Sequence, residues 1–189
     1  QTWAMHASAG EFVILLRIDP LFGLDAFVQT TAGCLGQIGM NEAGIGVGIN
    51  NLTSIGKPGV TWPFVVRKVL EQTSLDDAID AVLAADLAGG HNYLIMGPDG
   101  TGANIEAMPG TVEVTRVAEK PFVHTNHCLA PGPSLEEGER PAEHVAGSQT
   151  RVDRGADLVG DLDAFFAQTT GRLRSGIVKL AGLTNNNRT

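Results

Sequence analysis

The segment Cys34 to Leu52, CLGQIGMNEAGIGVGINNL, constrains the fold more than any other part of this chain. Two short apolar-alternating stretches flank Asn41-Glu42-Ala43-Gly44, and Asn and Gly supply the positive φ angles that a tight reversal needs. The segment therefore predicts a β-hairpin.

The sequence on either side extends this β reading. Glu11 to Ile18 is a bounded apolar run with several β-branched residues, ended by Asp19-Pro20, and predicts a buried strand; Phe27 to Thr31 predicts another. Thr61-Trp62-Pro63 opens a helix by placing a capping hydroxyl before an early proline. Ser74 caps a second helix, with Asp77 completing a near capping box. Its Leu75, Ala78, Ile79, Val82 and Leu83 fall on one face at helical spacing, a face expected to pack on a sheet. After Gly89-Gly90 the pattern predicts strands at His91 to Met96, Gly102 to Ala107, Thr111 to Val117 and Phe122 to Thr125. Pro98-Asp99-Gly100 and Met108-Pro109-Gly110 turn the chain between the first three. Ala130 to Glu143, rich in Pro, Gly and Glu, reads as a surface loop. Ser148 to Val159 and Asp161 to Thr170 read as two helices, the first capped by Ser148. Strands, helices, strands and helices in that order imply a layered α+β domain with two sheets and helices outside them.

Length and composition narrow the function. A chain of 189 residues suits one domain, and 43% apolar with 18% charged residues, without a low-complexity tract, is the make-up of a globular protein. The formal charge of -8 comes from acids spread along the chain, with no clustered basic face, so nucleic acid is not an expected partner. No apolar run approaches the roughly 18 residues a membrane helix needs, and the N-terminus lacks a charged region followed by an apolar one, so no membrane association is expected. Cys34 and Cys128 fit neither a disulfide framework nor a metal knuckle, and the cytoplasm is the expected compartment. Both ends, Gln1 and Thr189, read as cut from something longer.

The densest chemistry lies in Val123-His124-Thr125-Asn126-His127-Cys128-Leu129, at the end of a predicted strand. Each of these polar side chains needs a partner if buried, so the segment is either a functional site or a set of side chains satisfying loop backbone groups. On these residues alone both readings stand. A zinc site is not expected, because His-x-x-His on a strand splays its imidazoles to opposite faces and no second ligand pair follows. Gly44-Ile45-Gly46-Val47-Gly48 lies within a hairpin strand rather than at a strand-to-helix turn, so no phosphate-cradling cofactor motif is present.

The run His124-Thr125-Asn126-His127-Cys128-Leu129 resembles the matching stretch of the acyl-CoA:6-aminopenicillanic acid acyltransferase family, which contains penicillin-forming acyltransferases and related cysteine amidohydrolases. The hairpin, with Gly39, Asn41, Ala43, Gly44, Val47 and the closing Asn51-Leu52, is similar to that family too. So are Gln1-Thr2-Trp3, close to a Gln-Asn-Trp-Asp motif, the helices starting at Trp62 and Ser74, and Ile105-Glu106 followed by Pro109. The similarity runs in order from Gln1 to about Leu129 and less clearly to Val159. It implies a four-layer αββα N-terminal-nucleophile hydrolase sandwich of two stacked, mostly antiparallel sheets. In such enzymes a precursor cuts itself before a cysteine, whose thiol then attacks while its own α-amine, with a pKa of about 8, takes the proton. Carried onto this chain, the resemblance makes Asn126 an oxyanion-hole donor and places Thr125, His124 and Trp3 at the substrate. The implied partners are a small acyl or amide substrate and the chain's own cleaved N-terminal propeptide, with no cofactor.

Three departures accompany the match. The family's nucleophile precedes the Gln-Asn-Trp-Asp motif and so falls before Gln1; the Asp of that motif is Ala4; and a downstream Ser-x-Cys-Arg motif has no counterpart before Thr189. The nucleophile therefore lies in a longer mature chain, or the protein is a non-catalytic relative, or another residue has taken over. Takeover is the least expected. Thr2 would need Gln1 removed, Cys34 sits in a glycine-flanked strand where small-residue packing explains it, and Cys128 and His127, adjacent on a strand, would face opposite sides. The chain thus reads as part of an amide hydrolase or acyltransferase acting on linear C–N bonds, with a non-catalytic small-molecule-binding relative as the alternative.

Overall fold

Seven strands pair in chain order into one sheet: β1 Val13–Ile18, β2 Ala26–Thr31, β3 Ile38–Asn41, β4 Gly46–Asn51, β5 His91–Met96, β6 Gly102–Ala107 and β7 Val112–Val117. Every neighbouring pair is antiparallel. These coordinates are a computed structural model that describes residues 7–118 and 120–169. A 3-10 helix, Ala7–Phe12, leads into β1; α1 Trp62–Val69 and α2 Leu75–Leu83 connect β4 to β5; α3 Pro131–Ser134 and α4 Ala142–Thr169 follow β7.

The alternation of side chains across the pleat gives the sheet two different faces. One carries Val47, Tyr93, Ile95, Ala103, Ile105 and Ala107, all buried against Val65, Val66 and Val69 of α1 and Ala78, Ile79 and Val82 of α2. Each fully buried Val or Ile contributes on the order of 1.5–3 kcal/mol, so this apolar interface is the main source of stability. The other face carries a polar row set by register, in which Asn50 of β4 lies opposite Asn92 of β5, and Asn92 opposite Glu106 of β6. Strand β6 is buried along its whole length, because α2 packs on its apolar side while the segment 124–130 bonds to Glu106 on its polar side.

The hairpin forms as its turn residues require. Gly44 has a φ of 84°, the Gly44 amide donates to the Asn41 carbonyl (3.0 Å), and the Asn41 side chain accepts from the Ile45 amide (2.9 Å). Asn41 also donates to the carbonyls of Leu70 (3.0 Å) and Gln72 (2.8 Å), tying the turn to the end of α1. Ser74 caps α2 through the Asp77 amide (3.1 Å), whereas Thr61 begins α1 without a side-chain cap bond, leaving proline at the first turn as the start signal.

The α+β architecture agrees with the sequence, and all seven strands lie in one sheet, with no second sheet among the described residues. Four local expectations are corrected. The run Glu11 to Ile18 gives a strand, Val13–Ile18, but at the edge of the sheet and not buried, with Val13, Ile14 and Leu15 exposed. Phe122 to Thr125 is not a strand, because its polar groups bond to Glu106 and to Ser148 rather than to a ladder partner. Within Ala130 to Glu143, Pro131–Ser134 forms a short helix. Ser148 is not a cap: α4 starts at Ala142, just after Pro141, and runs unbroken through the segment read as two helices.

Candidate active site

Glu106 is the anchor of the polar face. Its side chain is 2% exposed and accepts three hydrogen bonds, from His124 Nε2 (2.7 Å) and from the amides of Leu129 (2.6 Å) and Ala130 (2.9 Å). Burial alone pushes this carboxyl up, but the bond from His124 and the two amides outweigh it and hold the group below its usual range. One carboxylate thus fixes both ends of the segment 124–130. His124 adds a second bond, its Nδ1 lying 2.8 Å from the Thr125 carbonyl, and its ring stacks on Phe122.

The middle of the segment is held by α4. Ser148, fully buried, takes the Asn126 amide on its Oγ (3.0 Å) and sits 2.7 Å from His127 Nδ1 and 2.9 Å from Thr125 Oγ1. Thr125 Oγ1 also donates to the Ser148 carbonyl (3.0 Å). Burial lowers the His127 pKa, an effect that nearby Glu137 opposes and His124 and Arg140 reinforce. Two turns beyond Ser148, Gly155 passes so close to Val123 that a Cβ there would lie 2.6 Å from its Cγ1, so α4 lies directly on the segment.

Every polar group of Asn126 is engaged. Its N–H goes to Ser148, its carbonyl accepts from Arg140 Nη1, and its side-chain Oδ1 accepts from both Nη atoms of Arg151, each at 3.2 Å. Its Nδ2 donates to the Asn51 carbonyl at the end of β4 (3.2 Å). Arg140 is itself paired with Glu137 (2.6 Å). Arg151 can only donate and the Asn51 carbonyl can only accept, so the side-chain amide has a single orientation. Nδ2 carries two hydrogens, and among the described residues only one has a taker. The residue is half-buried, so the second hydrogen belongs to a rigid donor at a partly open position.

The other sequence candidates fall differently. His124 and Thr125 lie beside Asn126 with their polar atoms already committed to Glu106, Thr125 and Ser148. Trp3 and Ala4 lie outside the described residues. Cys128 is buried, and burial followed by the fields of Glu137 and Glu106 pushes its thiol up to about 12, which removes it as a nucleophile at neutral pH. The expected reason was a strand pointing Cys128 away from His127; the observed reason is an apolar, acid-lined setting. The Cys34 thiol lies 3.9 Å from the Gly36 carbonyl. Sequence reasoning missed Ser148 and Arg151 as neighbours of Asn126. Their only signal is spacing: Ser148, Arg151, Val152, Gly155 and Val159 recur at three and four residues, the inner stripe of one helix.

The family model for acyl-coenzyme A:6-aminopenicillanic acid acyl-transferase matches residues 25–166, from the start of β2 into α4. The chain belongs to this acyl-transferase family. It is 30% identical over 144 residues to the 40 kDa form of acyl-coenzyme A:6-aminopenicillanic-acid-acyltransferase from Emericella nidulans, an alignment that covers 72% of this chain and 40% of that protein. Among solved structures it is similar to a variant of conjugated bile acid hydrolase from Clostridium perfringens, at 17% identity and a TM-score of 0.46, covering 68% of this chain and 42% of that one. It is also similar to penicillin V acylase from Agrobacterium tumefaciens, at 15% identity and a TM-score of 0.42, covering 78% and 42%. The chain therefore spans about two fifths of the length of the relatives it matches. Among the described residues no helix is long and apolar enough to cross a membrane.

Proposed function

We propose that this chain carries the acyl-oxygen-binding part of an amide hydrolase or acyltransferase acting on linear C–N bonds, through a thioester on an N-terminal cysteine that precedes Gln1 in the full-length protein. Self-cleavage exposes that cysteine, and its own α-amine takes the thiol proton. Attack on the acyl carbon turns the carbonyl oxygen into an oxyanion, which the free Nδ2 hydrogen of Asn126 receives. The C–N bond then breaks, the leaving amine takes the proton, and water or a second amine accepts the acyl group. A cytoplasmic location, a small-molecule acyl or amide substrate and contact with the cleaved propeptide belong to the same proposal.

The observation that carries the reading is the fixed orientation of the Asn126 amide, with one donor left over among the described residues. A donor whose direction is set before the reaction stabilises developing charge without reorganising, and one such contact is typically worth about 3 kcal/mol of barrier. His124, Thr125, Ser148 and Glu106 serve this donor by holding its backbone. Asn126→Ala in the full-length protein is expected to lower kcat about a hundredfold with the thermal midpoint nearly unchanged. A kcat equal to wild type removes Asn126 from the site.

One observation favours a second reading, a non-catalytic binding protein of the same fold: Ala4 stands where the resemblance leads one to expect an Asp that orients the nucleophile's amine. The two readings part on acylation. The enzyme gains the mass of an acyl group from an activated acyl ester, and the binding protein does not.

A further inference from the structure

We propose that Arg151 is a positioning residue for acyl transfer, acting through Asn126 rather than on the substrate; this rests on the oxyanion reading of Asn126. Three facts of geometry converge. Arg151 Nε donates to the Gly147 carbonyl one turn earlier in α4 (3.2 Å), which fixes the plane of the guanidinium. Both Nη atoms then donate to the same oxygen, Asn126 Oδ1, each at 3.2 Å. Ser148, three residues earlier on the same helical stripe, receives the Asn126 backbone amide (3.0 Å). One face of α4 therefore holds both the backbone and the side-chain oxygen of Asn126.

The chemical consequence is twofold. An asparagine amide can flip, exchanging a donor for an acceptor at the reacting oxygen; two N–H groups on Oδ1 forbid the flip, since Nδ2 in that place would face donors only. A cation on the carbonyl end also draws electron density through the conjugated amide, which makes the remaining Nδ2 hydrogen a stronger donor to an oxyanion. Arg140, by contrast, is spent on the Asn126 backbone carbonyl and on Glu137, so of the two arginines it is Arg151 that acts on the side chain.

The test uses the full-length protein with phenylacetyl 4-nitroanilide as the chromogenic amide, and a nitrogen-15 spectrum of the same protein. Arg151→Met is expected to lower kcat about tenfold with KM within about twofold, and Arg151→Lys to recover part of the loss. The double variant Asn126→Ala with Arg151→Met is expected to be no slower than Asn126→Ala alone, because Arg151 has nothing left to orient. The Asn126 side-chain NH2 peaks, assigned by their loss in Asn126→Ala, are expected to move towards free-amide positions in Arg151→Met. Wild-type kcat in Arg151→Met, or losses that add in the double variant, would overturn the positioning role. So would unmoved NH2 peaks, a readout that holds whether or not the anilide is turned over. If instead Asn126→Ala alone leaves kcat unchanged, the oxyanion reading fails, and the moved peaks then report an orienting contact without a catalytic consequence.

Discussion

His91 sits at the start of β5 with its ring between Trp62 (centroids 5.4 Å apart) and Tyr93 (6.3 Å). Burial lowers its pKa from 6.5 to about 4, partly countered by a hydrogen bond involving the Gly89 backbone. The unfolded chain therefore binds a proton there that the folded chain refuses between these two values, so stability falls as pH drops from 6.5 to about 4. The loss is about 3 kcal/mol by the usual conversion of pKa difference to free energy. Urea midpoints measured across this window should fall with acid in wild type and flatten in His91→Gln; equal slopes would show that His91 is not responsible. At this scale the sequence marked the polar segment 124–128, and Asn126 stood out through a short motif that resembles the family's. Ser148 and Arg151 did not, because they reach it from 22 and 25 positions away, and a pairing of that kind exists only in the folded chain.

Elements were legible where local rules decide them and obscure where long-range bonds do. The hairpin turn was clear, because Asn41 and Gly44 have no better use than a reversal. Gly44 holds a φ of 84°, and a Cβ on it would lie 2.7 Å from the Pro98 Cβ. Gly44→Ala is therefore expected to cost at least about 1 kcal/mol, read as a lower urea midpoint, and an unchanged midpoint would contradict the tight turn. The segment 121–130 was misread as ending a strand, because its alternation suits an extended chain and nothing local announces that Glu106 will accept its amides. Removing that carboxylate takes away the partner of His124 Nε2 and of two backbone amides. Glu106→Ala is expected to destabilise the fold by about 3 kcal/mol or more. Because the Glu106 pKa is depressed, its stabilisation is present above the ordinary carboxylate range and lost as pH falls through the folded value. Denaturation of Glu106→Ala should thus differ from wild type most at neutral pH and least in strong acid; a constant gap at all pH values would rule this out. The start of α4 escaped sequence reasoning because Ser148 looks like a cap until its hydroxyl is seen bonded to Thr125, Asn126 and His127.

At the scale of the whole molecule, the described residues form a sheet with one apolar and one polar face, and the proposed site belongs to the polar one. Stability comes from Val, Ile and Ala packed under α1 and α2, while the proposed chemistry sits on the opposite side, where the row Asn50, Asn92 and Glu106 underlies the segment bearing Asn126. Phe27 and Met40, paired in register and each about half exposed, extend that second face towards the edge. The α+β class and the family were readable because they rest on ordered motifs. The division of labour between the two faces was not, because it depends on strand register. We propose that Asn126 serves a cysteine carried ahead of Gln1 on a self-cleaved chain, and intact-mass spectrometry of the natural protein before and after an activated acyl ester puts this to the test. The mature chain is expected to begin with cysteine a short way before Gln1 and to gain one acyl group on that residue. An uncleaved chain with no cysteine there, and no gain in mass, rules the proposal out.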